Sequence, residues 1–254
     1  MVVTILGSGT STGVPMVGCS CRVCSSSDPK DQRTRASLLI TTRLGERILV
    51  DTSTDLRRQA LREKIPHIDA VLFTHPHADH LHGIDDLRGF HFIHKRVLPC
   101  YADQETLATI TRTFGYIFTG HEVGGYSPLL EARVIHGPFT LFGLTVVPIT
   151  LLHGPFHSTG YRIGPFAYLT DLSRIPESSL AKLHNLDTLV IDALRYTPHE
   201  SHLNIEGALK VVAELKPRQA IFTHLTHEVA HGDGIKLPFG VEFAYDGMRI
   251  EFSP

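Results

Sequence analysis

The chain of 254 residues contains no tryptophan, three methionines and four cysteines. It has no apolar run near the roughly 20 residues that a membrane helix requires, which excludes a helical span. Its formal net charge is only -2, so no global field attracts nucleic acid or an anionic membrane. The first residues, MVVTILGSGTSTG, lack the basic lead and long apolar core of a secretion signal. They read as a strand entering a glycine turn, and a cytoplasmic location is expected. Without a secretion signal, disulfides are not the expected use of the cysteines. Low-complexity segments and a clear linker are also missing, and one domain over residues 1–254 is expected.

Histidine, by contrast, is abundant, with 17 residues, and 42% hydrophobic residues allow a substantial core. Short runs rich in Val, Ile, Leu and Phe read as strands: VVTILG, SLLITT, RILVD, AVLFTH, VLPCYA, LTVVPITLLH, FAYLTD, TLVID, AIFTH and VEFAYDGMRIEF. In the last, Asp246-Gly247 is a turn signal between two strand-like halves. Helices are expected over STDLRRQALREK, opening on a Ser or Thr cap, over SSLAKLHN, and over NIEGALKVVAELKP, which stops at Pro217. Six of the apolar runs end in a histidine or an aspartate: Asp51, His75, His153, Asp171, Asp192 and His224. Such a repetition places these residues at strand ends, where sites of α/β folds gather. RILVDTS followed by AVLFTHPHADH is echoed by FAYLTDLS, TLVIDA and AIFTHLTH, which points to two related halves.

His75, His77, Asp79 and His80 form the pattern H-x-H-x-D-H. Alternate residues of an extended segment point the same way, so His75 and His77 can hold one ion, and Asp79 and His80 can address a second. Imidazole and carboxylate together suit zinc, manganese or iron. His153, Asp171 and His224 are the strand-end residues available to complete two sites. Asp51 and Asp192 either orient ligand histidines or cap backbone amides. Cys19, Cys21 and Cys24 lie within one loop, about residues 18–25, and lack one ligand for tetrahedral zinc; His227 is the first choice and His231 the second. Cys100, in an apolar run, reads as a small buried hydrophobe. GSGTSTG, residues 7–13, matches no nucleotide-loop pattern and reads as a tight turn, with or without a role in lining a site.

With H-x-H-x-D-H after a strand, the chain resembles the metallo-β-lactamase-fold hydrolases over essentially its whole length. The resemblance implies a four-layer αββα sandwich carrying two divalent metal ions, zinc or manganese. It assigns His75, His77 and His153 to one ion and Asp79, His80 and His224 to the other, with Asp171 bridging. GCSCRVC, THLTH and YTPHESHLN further resemble the PhnP-type phosphodiesterases of the carbon–phosphorus lyase pathway. That likeness implies a structural zinc on Cys19, Cys21, Cys24 and His227. It places His202 as the general acid, with Asp79 in the catalytic set. The implied reaction is hydrolysis of small phosphodiesters, cyclic ones among them, by a hydroxide held between the two ions. The run HGPFHSTGY departs from the pattern by its length and adds His157, and the segment 110–137 carries no distinctive signal. A tRNA 3′-end nuclease, a PqqB-type cofactor-biosynthesis protein and a non-catalytic metal-binding module are the alternatives. The expected partner is a small phosphodiester, without membrane or nucleic acid, and homodimerisation stays open.

Overall fold

The computed structural model describes residues 1–118, 130–232 and 237–252. Residues 119–129, within the segment 110–137, lie outside the described residues. The chain forms two compact units, one of residues 1–7, 36–136 and 247–254, the other of residues 8–35 and 137–246.

The first unit is built on strands β1 (Val2–Gly7), β2 (Ser37–Thr41), β3 (Arg47–Val50), β4 (Ala70–Leu72), β5 (Leu98–Ala102) and β6 (Leu130–Val134), with the late strand β14 (Arg249–Glu251). They form one sheet in the order β14-β1-β2-β3-β4-β5-β6. The strands β3 to β6 are mutually parallel, and β14, β1, β2 and β3 pair antiparallel. Parallel strands covered on both faces read as continuous apolar runs, as RILV and AVL do. Helices α1 (Leu56–Arg62), α2 (Ala78–Leu81), α3 (Leu87–His94), α4 (Gln104–Thr113) and α5 (Gly115–Phe118) complete the unit. Leu56, Leu87, Leu107 and Ile110 from these helices share a buried cluster with Leu49, Val71, Phe73 and Cys100. Cys100 is fully buried there, and that burial pushes its thiol far up.

The second unit holds β7 (Phe139–Leu141), β8 (Leu144–His153), β9 (Phe156–Ile163), β10 (Phe166–Leu169), β11 (Thr188–Asp192), β12 (Gln219–Thr223) and β13 (Val241–Phe243), with helices α6 (Glu177–Leu180) and α7 (Ile205–Leu215). The order is β13-β12-β11-β10-β9-β8-β7. From β8 to β13 the pairings run antiparallel, antiparallel, then parallel three times. From β1 to β6 they follow the same sequence. The halves that echo each other in sequence therefore share one strand plan. Among the described residues no helix is long and apolar enough to cross a membrane.

The turn expected at Asp246-Gly247 forms between β13 and β14, which pair with β12 and β1 and not with each other. Asp246 accepts from the backbone N–H and hydroxyl of both Ser8 and Thr34. Two local expectations need correction. Helix α1 has Asp55 at its N-cap without a side-chain cap bond; Ser53 Oγ instead accepts from Asp55 N–H and donates to Gln59 Oε1. The helix expected over SSLAKLHN is the single turn α6, since Leu183 and Leu186 turn into the core just beyond it. Helix α7 does form as expected, with Asn204 Oδ1 capping Gly207 N–H at 2.9 Å and Lys216 in a left-handed conformation before Pro217.

Candidate metal centres

In the first unit, β4 runs out through Phe73 and Thr74 into His75. The fully buried Asp51 follows β3 and organises this corner. It accepts from Thr74 N–H and Thr74 Oγ1, each at 2.8 Å, and from His80 Nδ1 at 2.8 Å. Because Thr74 Oγ1 gives its proton to Asp51, it can only accept from His75 Nδ1, 2.9 Å away. One carboxylate thus places the proton on Nδ1 of both His75 and His80, leaving each Nε2 with a lone pair. His75 Nε2 lies 3.0 Å from His77 Nδ1. That is close to the edge spanned by two nitrogens each about 2.0–2.1 Å from one zinc. The one-turn helix α2 then sets Asp79 Oδ2 3.3 Å from His80 Nε2. Burial pushes the Asp51 carboxyl above its ordinary range, with His80 and Thr74 opposing.

In the second unit, β8 ends at His153, whose Nδ1–H donates to the Ser201 carbonyl at 2.8 Å. Asp171 presents its two oxygens to different histidines: Oδ2 lies 4.0 Å from His153 Nε2 and Oδ1 3.5 Å from His224 Nε2. A carboxylate held this way can serve two cations at once. Thr170 Oγ1 donates to its Oδ1 at 2.7 Å. His202 stacks on His224, ring centroids 4.9 Å apart, and sits edge-on to His153 at 4.7 Å. Its Nδ1–H donates to the fully buried Asp192 at 2.7 Å. Asp192 therefore orients His202, and its other oxygen is 3.9 Å from His224 Nδ1. His157, on β9, is exposed.

Three strand-end residues, Asp51, Asp171 and His224, take left-handed φ angles of 63°, 57° and 60°. Such backbone costs energy and concentrates at functional sites. The two aspartates are held by the same device. Ser37 Oγ donates to the carbonyls of Val50 and Asp51 at 3.1 and 2.9 Å. Ser158 Oγ donates to those of Thr170 and Asp171 at 3.2 and 2.9 Å.

The cysteine loop lies wholly in the second unit. Cys19 Sγ and Cys21 Sγ are each 3.3 Å from His227 Nδ1. The donor atoms of Cys19, Cys21, Cys24 and His227 all fall within 4.8 Å of one another. Zinc with bonds of about 2.3 Å to sulfur and 2.0 Å to nitrogen has ligand edges of roughly 3.5–3.8 Å, so the group fits one tetrahedral ion. The Cys24 amide, donating to Cys21 Sγ, and His227 bring the Cys21 thiol down to about 6, while burial carries Cys24 up to about 11. His231 is not in this group; its N–H donates to Asp31 instead, at 2.7 Å.

The supporting residues Thr74, Thr170 and Ser201 do not figure in the sequence analysis. The sequence carries a signal for the two threonines but not for Ser201: a threonine directly precedes His75, Asp171 and His224, in FTH, LTD and FTH.

The beta-lactamase superfamily domain matches residues 46–225. A protein named octanoyltransferase from Porphyromonas gingivalis is 42% identical over 250 residues, which cover 96% of this chain and 50% of that protein. The chain thus spans about half the length of this curated relative. Coenzyme PQQ synthesis protein B of Rhodopseudomonas palustris is 32% identical over 281 positions, covering 89% of each chain. Among solved structures, a diphosphatase of the PhnP family superposes with a TM-score of 0.92 at 40% identity, over 99% of this chain and 98% of that one. The α/β fold of the metallo-β-lactamases, the αββα sandwich, is thereby shown.

Proposed function

This chain belongs to the beta-lactamase superfamily, a metallo-β-lactamase-fold hydrolase, and on that premise we propose that it hydrolyses small phosphodiesters, cyclic ones included. His75, His77 and His153 serve one metal ion and Asp79, His80 and His224 the other, with Asp171 between them, the two units acting as one domain. Support comes from the H-x-H-x-D-H motif, from the contacts that put the ring proton on Nδ1 of His75, His80 and His153, and from the divided aim of Asp171. When bound, two divalent cations lower the pKa of water towards about 7 and neutralise charge on phosphoryl oxygens. The chain's own residues then orient and protonate. Asp51 holds the rings of His75 and His80 in one tautomer. Cys19, Cys21, Cys24 and His227 hold a structural zinc. Substrates of nucleic-acid size are not part of this reading, and the cytoplasm is its proposed location.

The observation that carries the phosphodiester assignment is the pair His202–Asp192. A buried carboxylate on Nδ1 fixes the ring and leaves Nε2 as the nitrogen that can pass a proton to a leaving group. An alkoxide leaving group needs such a proton in the transition state. The diphosphatase relative favours a second reading, cleavage of a diphosphate, but a departing phosphate needs little proton help. His202→Ala should therefore slow an alkyl or cyclic diester by roughly 10²–10⁴-fold. A nitrophenyl diester should lose much less. A uniform loss across leaving groups would refute the acid role, and wild-type turnover of diphosphates but not of diesters would select the second reading.

A further inference from the structure

Between His224 and His227 the chain is gripped by an arginine that neither centre uses as a ligand. Arg33 is 1% exposed, an expensive place for a guanidinium. Its Nη1 donates to the Thr226 carbonyl at 3.0 Å and its Nη2 to Asp31 Oδ1 at 3.2 Å. The same Asp31 oxygen accepts from His231 N–H at 2.7 Å. Arg33 and Asp31 therefore clasp the segment at both ends of residues 226–231. The clasp itself is immobilised. Arg33 and Val14 exchange two backbone hydrogen bonds, at 2.7 and 2.8 Å, and Val14 packs in the small cluster with Val23, Cys24 and Ala230. Gly9 crosses so closely that a Cβ there would sit 3.0 Å from Arg33 Cβ. Next along the segment, Leu225 N–H donates to Ser8 and its carbonyl accepts from Thr10.

Stability does not require an arginine here. Buried ion pairs are often matched or bettered by apolar side chains, and Arg33 Nε finds no partner among the described residues. What an apolar side chain cannot do is hold the Thr226 carbonyl from the cysteine-loop side. Thr226 lies one residue before His227 and two after His224, which is itself in the left-handed conformation.

We infer that Arg33 is a positioning residue that couples the two kinds of centre: filling the cysteine site fixes His227, and Arg33 transmits that order through Thr226 to His224. The structural zinc then raises the affinity of the metal that His224 serves, without touching it. This rests on the metal assignments proposed above.

Cobalt(II) titration of the chelator-stripped full chain tests it, because thiolate-to-cobalt charge transfer reports the cysteine site separately from sites of nitrogen and oxygen ligands. The double variant Arg33→Met/Asp31→Asn removes the ion pair without stranding a buried charge. It should keep the thiolate band and lose about tenfold in affinity at the nitrogen–oxygen site, the lower end of what ligand-supporting residues carry. Cys21→Ser should lose the thiolate band and show the same tenfold loss. Combining all three substitutions should do no more than either alone, since they cut one path. Arg33→Lys, with one donor head, should fall between. Wild-type affinity in the double variant, additive losses, or disappearance of its thiolate band would each overturn the coupling while leaving the metal assignments standing. A wild-type chain without any thiolate band would overturn those assignments and the coupling together.

Discussion

A carboxylate that touches no substrate can still decide what a site binds. Asp51 reaches His80 directly and His75 through Thr74. Asp51→Ala should weaken metal binding by about 10–100-fold, the usual loss when a residue orienting a ligand is removed. Asp171→Ala should do worse, because both of its oxygens face candidate ligands; a metal count after dialysis separates the two, and retention of both ions by Asp171→Ala would contradict the bridge. The cysteine loop offers a pH test. Folding lowers Cys21 from 9.0 to about 6, so its thiolate contributes stability above the unfolded value and loses it as pH falls through about 6. In the chelator-stripped protein, alkylation of Cys21 should be half-maximal near pH 6, with Cys24 reacting only in alkali; a common midpoint above pH 8 for both thiols would contradict this. His75, His77, Asp79 and His80 could be read directly, since they are adjacent in sequence. The roles of Asp51 and Asp192 could not, because orienting a histidine is a matter of which ring nitrogen a distant strand end happens to meet.

Elements show a different balance. Strands buried on both faces, such as RILV, AVL and TLVID, announce themselves by composition. Strands β6, β7 and β9 do not. LEARV is largely exposed, FTL is three residues long, and FHSTGYRI starts with two exposed residues and carries Gly160. A Cβ at that glycine would lie 2.6 Å from Leu169 Cδ2 and 3.0 Å from the Tyr168 carbonyl, so a larger residue would press on the neighbouring strand. A sharper case follows helix α2. At Gly83 a Cβ would lie 1.9 Å from the Ser53 carbonyl oxygen, while the Gly83 N–H already donates to Thr52. Gly83→Ala should therefore destabilise by about 3 kcal/mol, the upper part of the overpacking range, and thermal unfolding would register it. Because the displaced backbone adjoins Asp79 and His80, metal affinity should fall with it; a variant as stable as the wild type would show that this turn yields.

For the molecule as a whole, the expectation is three ions per chain. They should leave unequally. A closed site of three cysteines and a histidine exchanges slowly, whereas a hydrolytic site keeps positions open to solvent. Graded chelation followed by metal counting should abolish turnover while about one zinc per chain remains; parallel loss of activity and of the last ion would contradict that order. The repeated strand plan bears on how such a protein can be probed. Ser37 and Ser158 hold Asp51 and Asp171 through the same pair of carbonyl contacts, yet one aspartate orients candidate ligands and the other is a candidate ligand. Ser37→Ala and Ser158→Ala are thus one perturbation made in two chemical settings, and any difference between their effects measures what the aspartate does rather than what the fold needs. The chain carries its own matched control.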